Sequence, residues 1–143
     1  MSTENKDWLA YGRAAMASQP FSVLLGAEVV ALEPGRAELA LNVADQIKQQ
    51  HGFVHGGVLS YLADNALTYA GGTALNAPAV TSEMKINYIR PAIGERLIAR
   101  AIAIHTGKTQ SVCRCDVFIV ADGEEKICAV AQGTIAAMGK PNG

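Results

Sequence analysis

Residues 49–75 read QQHGFVHGGVLSYLADNALTYAGGTAL, and this stretch decides the architecture. From Val58 to Leu75 the apolar residues Val58, Leu59, Leu62, Ala63, Ala66, Leu67 and Ala70, joined by Tyr61 and Tyr69, lie nearly all the way round a helix. A helix that is apolar on most sides is buried on most sides, so this one belongs at the centre of the molecule. Gly71-Gly72 weakens its end and Pro78 closes it. The preceding Gln46 to Gly57 is polar, carries Gly52, Gly56 and Gly57, and reads as a loop.

Working outward, the sequence turns to a period of two. Glu83, Lys85 and Asn87 alternate with Met84, Ile86 and Tyr88, and three more strands are predicted at Leu97–His105, Val112–Ala121 and Lys126–Met138. Gly107-Lys108 and Asp122-Gly123 are natural tight turns between them. On the N-terminal side, strands are predicted at Leu25–Leu32 and Arg36–Val43, joined by Glu33-Pro34-Gly35. Lys6 to Ser18 has helical spacing through Trp8, Tyr11, Ala15 and Met16, and Pro20 stops it. The order is helix, two strands, long buried helix, then four strands in a meander. An α+β architecture satisfies it with one core: a curved, mainly antiparallel six-stranded sheet wrapped around one long central helix. The whole of 1–143 is expected to be one domain, with a helical segment at 1–20 and a core at 25–138. One helix covers only one face of a sheet, so the other face or an edge strand calls for a second copy of the chain.

The composition narrows the functional classes. Half of the 143 residues are hydrophobic, 17% are charged, and the net charge is −1. Such a balance gives no reason to expect nucleic acid or an acidic membrane as partner. No apolar run approaches the ~18 residues of a membrane span, and the basic, apolar, small-residue order of a leader is missing, so a cytoplasmic location is expected. Cys113, Cys115 and Cys128 are an odd number without C-x-x-C spacing, and Cys113 and Cys115 share one strand face as small hydrophobes. With the histidines scattered, no metal site is expected.

Two features of the quoted stretch carry chemistry. Gly56 and Gly57 stand where a loop enters a helix and offer backbone N–H groups to an incoming oxygen. Asp64 sits two turns into an apolar helix, where a carboxylate needs a partner or a task. A hydrogen bond to a neighbouring strand would serve it equally well on composition alone. Eight residues at ~1.5 Å rise put Asp64 about 12 Å along the axis from Gly56, so the two cannot meet at one reacting carbon within a chain. Two such helices, antiparallel across a two-fold axis, would bring Asp64 of one beside Gly56 of the other.

His55-Gly56-Gly57 followed by Leu62-Ala63-Asp64 on a buried helix, with Tyr88-Ile89-Arg90-Pro91-Ala92, Gly107-Lys108-Thr109 and a last strand through Ala129-Val130-Ala131-Gln132-Gly133-Thr134, resembles the hotdog-fold acyl-CoA thioesterases, and among them the phenylacetate-pathway (PaaI-type) enzymes. The resemblance runs from Gly26 to about Met138. It implies that Asp64 is the catalytic carboxylate, as nucleophile or as base for a water, and that Gly56 N–H is the oxyanion donor. It further implies that His55 orients the loop or contacts the thioester, that Gln49 binds the carbonyl or the water, and that Thr68 positions the water. Gly57, Thr81 and Ser82, with Arg90 and Lys108 toward the phosphates of CoA, are the substrate-binding candidates, and which of Thr81 or Ser82 faces the site stays open. The implied reaction is hydrolysis of acyl-CoA, with small aromatic or medium-chain acyl groups, in a homodimer with shared interface sites and a dimer of dimers beyond it. CoA enters only as part of the substrate, and no cofactor is implied.

Other signals are weaker. Gly107-Lys108-Thr109 lacks the glycine a phosphate loop needs five positions earlier, where Ile102 stands. His51 and His105 read as loop and strand-end residues, and Ser60 is not in a G-x-S-x-G elbow. Two other readings remain at this point: a hydratase or dehydratase on the same fold with His55 and Asp64 as the proton-shuttling pair, and a non-catalytic acyl-CoA-binding protein.

Overall fold

The computed structural model describes residues 6–139. Helix α1 spans Trp8–Ala17, and the Asp7 carboxylate caps it by accepting the Ala10 N–H at 3.0 Å. Pro20 ends that helical stretch but also opens a second helix, α2, Pro20–Leu25, where it occupies the first turn and forgoes no hydrogen bond. This corrects the expected start of the first strand at Leu25. Gly26, left-handed at φ 77°, terminates α2, and β1 begins only at Glu28. Strands β1 (Glu28–Glu33) and β2 (Arg36–Asn42) form the expected hairpin, with Gly35 at φ 81° in its turn.

After a 3-10 turn at Asp45–Ile47, helix α3 runs Gly56–Leu75 and is stopped by Asn76 in the left-handed conformation. Then follow β3 (Ala79–Tyr88), β4 (Arg96–Thr106), β5 (Gln110–Ala121) and β6 (Glu124–Ala137). The strands make one six-stranded sheet in the order β1-β2-β4-β5-β6-β3, with every neighbouring pair antiparallel. The four-strand meander therefore needs correction. Strands β4, β5 and β6 do meander, but β3 lies at the far edge beside β6. Helix α3 contacts every strand, so it crosses the concave face from the β2 side, and the strand leaving its C-terminus emerges at the opposite edge. Residues 89–95 carry the chain back to β2, and β4 to β6 fill the gap.

The concave face packs α3. Leu39, Leu41, Leu97, Cys113, Cys115, Val117 and Ile135 are wholly buried there together with Leu62, Ala63, Ala66 and Leu67 of the helix. Burial of this kind is the main favourable term in folding, roughly 25 cal/mol per Å² of apolar surface. All three cysteines are free and buried, as the small-hydrophobe reading expects. Burial pushes the Cys115 thiol up to about 12 and the Cys128 thiol up to about 11, so neither is a thiolate nucleophile at neutral pH. On the convex face, Arg100 of β4 joins Glu38 of β2 at 2.6 Å and Glu125 of β6 at 2.7 Å, and this pair of carboxylates raises its already high pKa. No helix among the described residues is long and apolar enough to cross a membrane.

Candidate active site

Asp64 lies midway along α3 on the face turned toward β3, half-buried between helix and edge strand. Its Oδ1 accepts the Thr81 hydroxyl of β3. Thr68, one turn further along, has its Oγ1 2.9 Å from the Asp64 carbonyl oxygen and 3.0 Å from the Thr81 hydroxyl. One carboxylate and two hydroxyls thus form a connected cluster. They line a cleft of about 400 Å³ with Tyr61, Asn65, Ala79 and Val80.

The β-bulge between Thr81 and Glu83 settles which hydroxyl belongs there. Ser82 is the extra residue; its Oγ donates to the Thr134 carbonyl at 3.2 Å on the exposed side. The sheet turns Thr81 to Asp64 and turns Ser82 away, so the structure does not bring Ser82 to the carboxylate.

The start of α3 is a second, separate feature. His55 is its N-cap, and its Nδ1 accepts the Gly57 N–H at 2.8 Å, which fixes the ring proton on Nε2. A Cβ at Gly57 would stand 2.9 Å from that Nδ1, so glycine there makes room for the cap. The cap also uses the Gly57 N–H and leaves it nothing to offer a ligand. The Gly56 N–H has no acceptor among the described residues, as is usual for the first position of a helix. It borders a hollow of about 300 Å³ with Phe53, Val54, Leu59, Tyr88, Arg90 and others, and Tyr88 Oη donates to the Gly56 carbonyl at 3.2 Å.

The remaining candidates are spread more widely. Gln49 closes the loop before α3: its Oε1 accepts the His51 N–H, its backbone N–H donates to Phe53 O at 2.9 Å, and only its amide N–H groups are left for a ligand. Arg90 is exposed on the rim of the Gly56 hollow. Lys108 sits on the exposed β4–β5 turn, whose Thr109 carbonyl accepts from Ala137; this is the end of the sheet where β3 begins, opposite Tyr88 and Gly56. Tyr61 and Asn65 are cleft residues that sequence reasoning missed. They look like helix packing, and only their bonds to Ser22 and Gln19 around the unforeseen α2 reveal their place. Among the described residues no group of three or more His, Cys, Asp or Glu side chains could hold a metal ion.

Asp64 and Gly56 thus border different hollows of one chain, as their spacing along α3 requires. The strand between them and solvent, β3, is an edge: among the described residues its outer backbone groups have no partner strand, and Val80 and Tyr88 are about half exposed. Comparison with known proteins gives the chemical context. Residues 51–126 match the family model described as the thioesterase superfamily. The acyl-coenzyme A thioesterase PaaI of Escherichia coli is 34% identical over 76% of this chain and 76% of its own length. The 1,4-dihydroxy-2-naphthoyl-CoA hydrolase of Listeria monocytogenes is 29% identical over 78% of this chain and 90% of its own. A thioesterase family protein of Silicibacter pomeroyi superposes with a TM-score of 0.86 at 36% identity, over 92% of this chain and 99% of that one.

Proposed function

Because the chain belongs to the thioesterase superfamily, we propose that it hydrolyses acyl-CoA thioesters to free acid and CoA at a site shared by two copies of the chain. The observation that carries the reading is the Asp64 carboxylate, held by Thr81 on the wall of a cleft, with an acceptor-free Gly56 N–H at the start of the same helix. Antiparallel pairing of two β3 edges would continue the sheet and set two α3 helices antiparallel beneath it. Asp64 of one copy would then face Gly56 of the other, and the two half-sites would close into one.

In that site the Gly56 N–H takes the thioester oxygen as it gains charge, a contribution of roughly 3 kcal/mol for one preorganised donor. Asp64 acts in one of two ways. As base it takes a proton from the attacking water while the new C–O bond forms and the C–S bond breaks. As nucleophile it attacks first, giving an acyl-Asp64 anhydride that water then opens. Either way the CoA thiolate leaves with the bonding pair, and its low basicity makes a strong general acid unnecessary. Thr68 and Thr81 position the carboxylate and the water. His55 holds the loop through Gly57, and the Gln49 amide reaches the carbonyl or the water. Arg90 and Lys108 serve the phosphates, Lys108 for the partner's site.

The acyl groups are small aromatic or medium-chain; the aromatic class is supported by the naphthoyl-CoA in the name of the Listeria monocytogenes relative. The assembly is a homodimer, with a dimer of dimers beyond it. The three unpaired thiols support a reducing, cytoplasmic setting.

The test is free-thiol release from a panel of acyl-CoAs, acetyl to palmitoyl plus phenylacetyl, benzoyl and hydroxybenzoyl, with Asp64→Asn and Asp64→Ala alongside. Turnover lost in both variants is the expected result. Silence across the panel from folded protein would overturn the proposal.

A further inference from the structure

Tyr61 lines the Asp64 cleft one turn before the carboxylate, and its hydroxyl is fully engaged elsewhere. Ser22 of α2, only 1% exposed, gives its proton to Gln19 Oε1 at 2.6 Å. A hydroxyl has one proton to give, so at the 2.5 Å contact between them Ser22 accepts and the Tyr61 phenol donates. Asn65 Nδ2 donates to the same phenol oxygen at 3.2 Å and to Gln19 Oε1 at 3.2 Å. The Phe21 ring meets that of Tyr61 edge-on, with centroids 5.0 Å apart and planes at 85°. With its oxygen spent on α2 and Asn65, Tyr61 offers a ligand its ring, held in place.

The cleft has a direction. Beyond Asp64 it is lined by Thr68 and Ala79; Ala79 pairs with Ala137, which donates to Thr109 O of the turn that carries Lys108. In the paired β3 edges, Tyr88 of one copy would lie near Thr81 of the other, which brings Arg90 of the first to that same end. Both cations then lie on the Ala79 side of Asp64. The CoA phosphates belong there, and the acyl group lies on the opposite side, against Tyr61.

Deepening the thioesterase reading, on which this step rests, we infer that Tyr61 is the specificity-determining wall of the acyl site and selects a single aromatic ring over a straight chain. Tyr61 precedes Asp64 by three residues, about 4.5 Å along the axis, and its side chain leans toward the start of the helix. One ring fills the span from the thioester carbon to that wall, whereas a ten-carbon chain meets the latched Tyr61 and has to displace it. An aromatic acyl group also gains an edge-to-face contact that a chain lacks, worth about two- to tenfold in binding. Ser22, buried beneath the wall, is a positioning residue that acts through Tyr61.

The experiment measures kcat/KM for benzoyl-, hexanoyl- and decanoyl-CoA in wild type, Tyr61→Ala, Tyr61→Phe and Ser22→Ala. In parallel, calorimetry gives the affinities of benzoyl- and hexanoyl-CoA for Asp64→Asn, with and without Tyr61→Ala. Wild type should prefer the benzoyl over the hexanoyl ester by about threefold or more. Tyr61→Ala should bring that ratio to one and raise decanoyl relative to hexanoyl turnover. Tyr61→Phe and Ser22→Ala cut one and the same bond, so each should shrink the ratio by a similar amount and the double variant no further. Each reading is a ratio within one variant, so differences in the amount of folded protein cancel. Asp64-dependent turnover with a benzoyl-to-hexanoyl ratio near one in wild type, or one that Tyr61→Ala leaves unchanged, would overturn the wall and leave the thioesterase standing. No turnover of any ester, with an affinity preference for benzoyl-CoA that Tyr61→Ala abolishes, would support the wall and overturn the thioesterase.

Discussion

Thr81 gives its hydroxyl proton to Asp64 Oδ1, and that bond fixes where the carboxylate points. A hydrogen bond to a charged group is worth about 1.5–3 kcal/mol, so its loss should show in turnover rather than in affinity. Thr81→Val keeps the shape and removes the donor; kcat should fall by about tenfold or more with KM little changed, and Thr81→Ser should restore it. A kcat within threefold of wild type would show that the hydroxyl does not position Asp64. Asp64 itself was legible in the sequence because a carboxylate within an apolar helix has to be accounted for. The choice between Thr81 and Ser82 was not, since alternation alone cannot place a bulge, and one extra residue exchanges the two faces of a strand.

At the scale of elements, the site depends on how closely β3 lies against β6. Gly133 of β6 faces Met84, and a Cβ added there would stand 2.7 Å from the Glu83 carbonyl oxygen, a backbone atom that cannot turn aside. Gly133→Ala should therefore push β3 outward, cost about 1–3 kcal/mol of stability, and lower turnover by moving Thr81. Urea unfolding read beside thiol release checks both, and unchanged values for the two would refute the close fit. The long helix and the hairpin turns were readable because their signals are local: all-round apolarity in α3, Asp122-Gly123 with positive φ at both residues between β5 and β6. Two elements were not. Pro20 carries equal weight as a stop and as a first helical residue, which hid α2, and the place of β3 at the far edge follows from the path of α3 across the sheet rather than from β3 itself.

For the whole molecule, burial and assembly set the behaviour. Cys115 and Cys128 keep their protons in the folded chain up to about 12 and about 11, because burial disfavours the thiolate. Unfolded thiols ionise near 8.5. Above about pH 9 the unfolded chain thus binds fewer protons than the folded one, and stability falls as pH rises, by about 1.4 kcal/mol per pH unit for each thiol until its folded pKa is reached. The urea midpoint should drop between pH 8 and pH 10, and Cys115→Ala with Cys128→Ala should flatten that decline; a level midpoint in the parent chain would contradict it.

The central claim is that Asp64 and Gly56 act together only across two chains, and subunit mixing tests it most directly. Asp64→Ala removes the carboxylate. Gly56→Pro removes the N–H at the first helical position, where proline is accepted, and His55 at φ −60° and ψ 133° already has the backbone that precedes proline. Each variant alone should be nearly inactive. Refolded together in equal amounts, they should recover about a quarter of wild-type turnover, since half of the dimers are hybrids and each hybrid holds one intact site. Hybrids verified by mass that remain as inactive as their parents would place both groups in one chain and contradict the account.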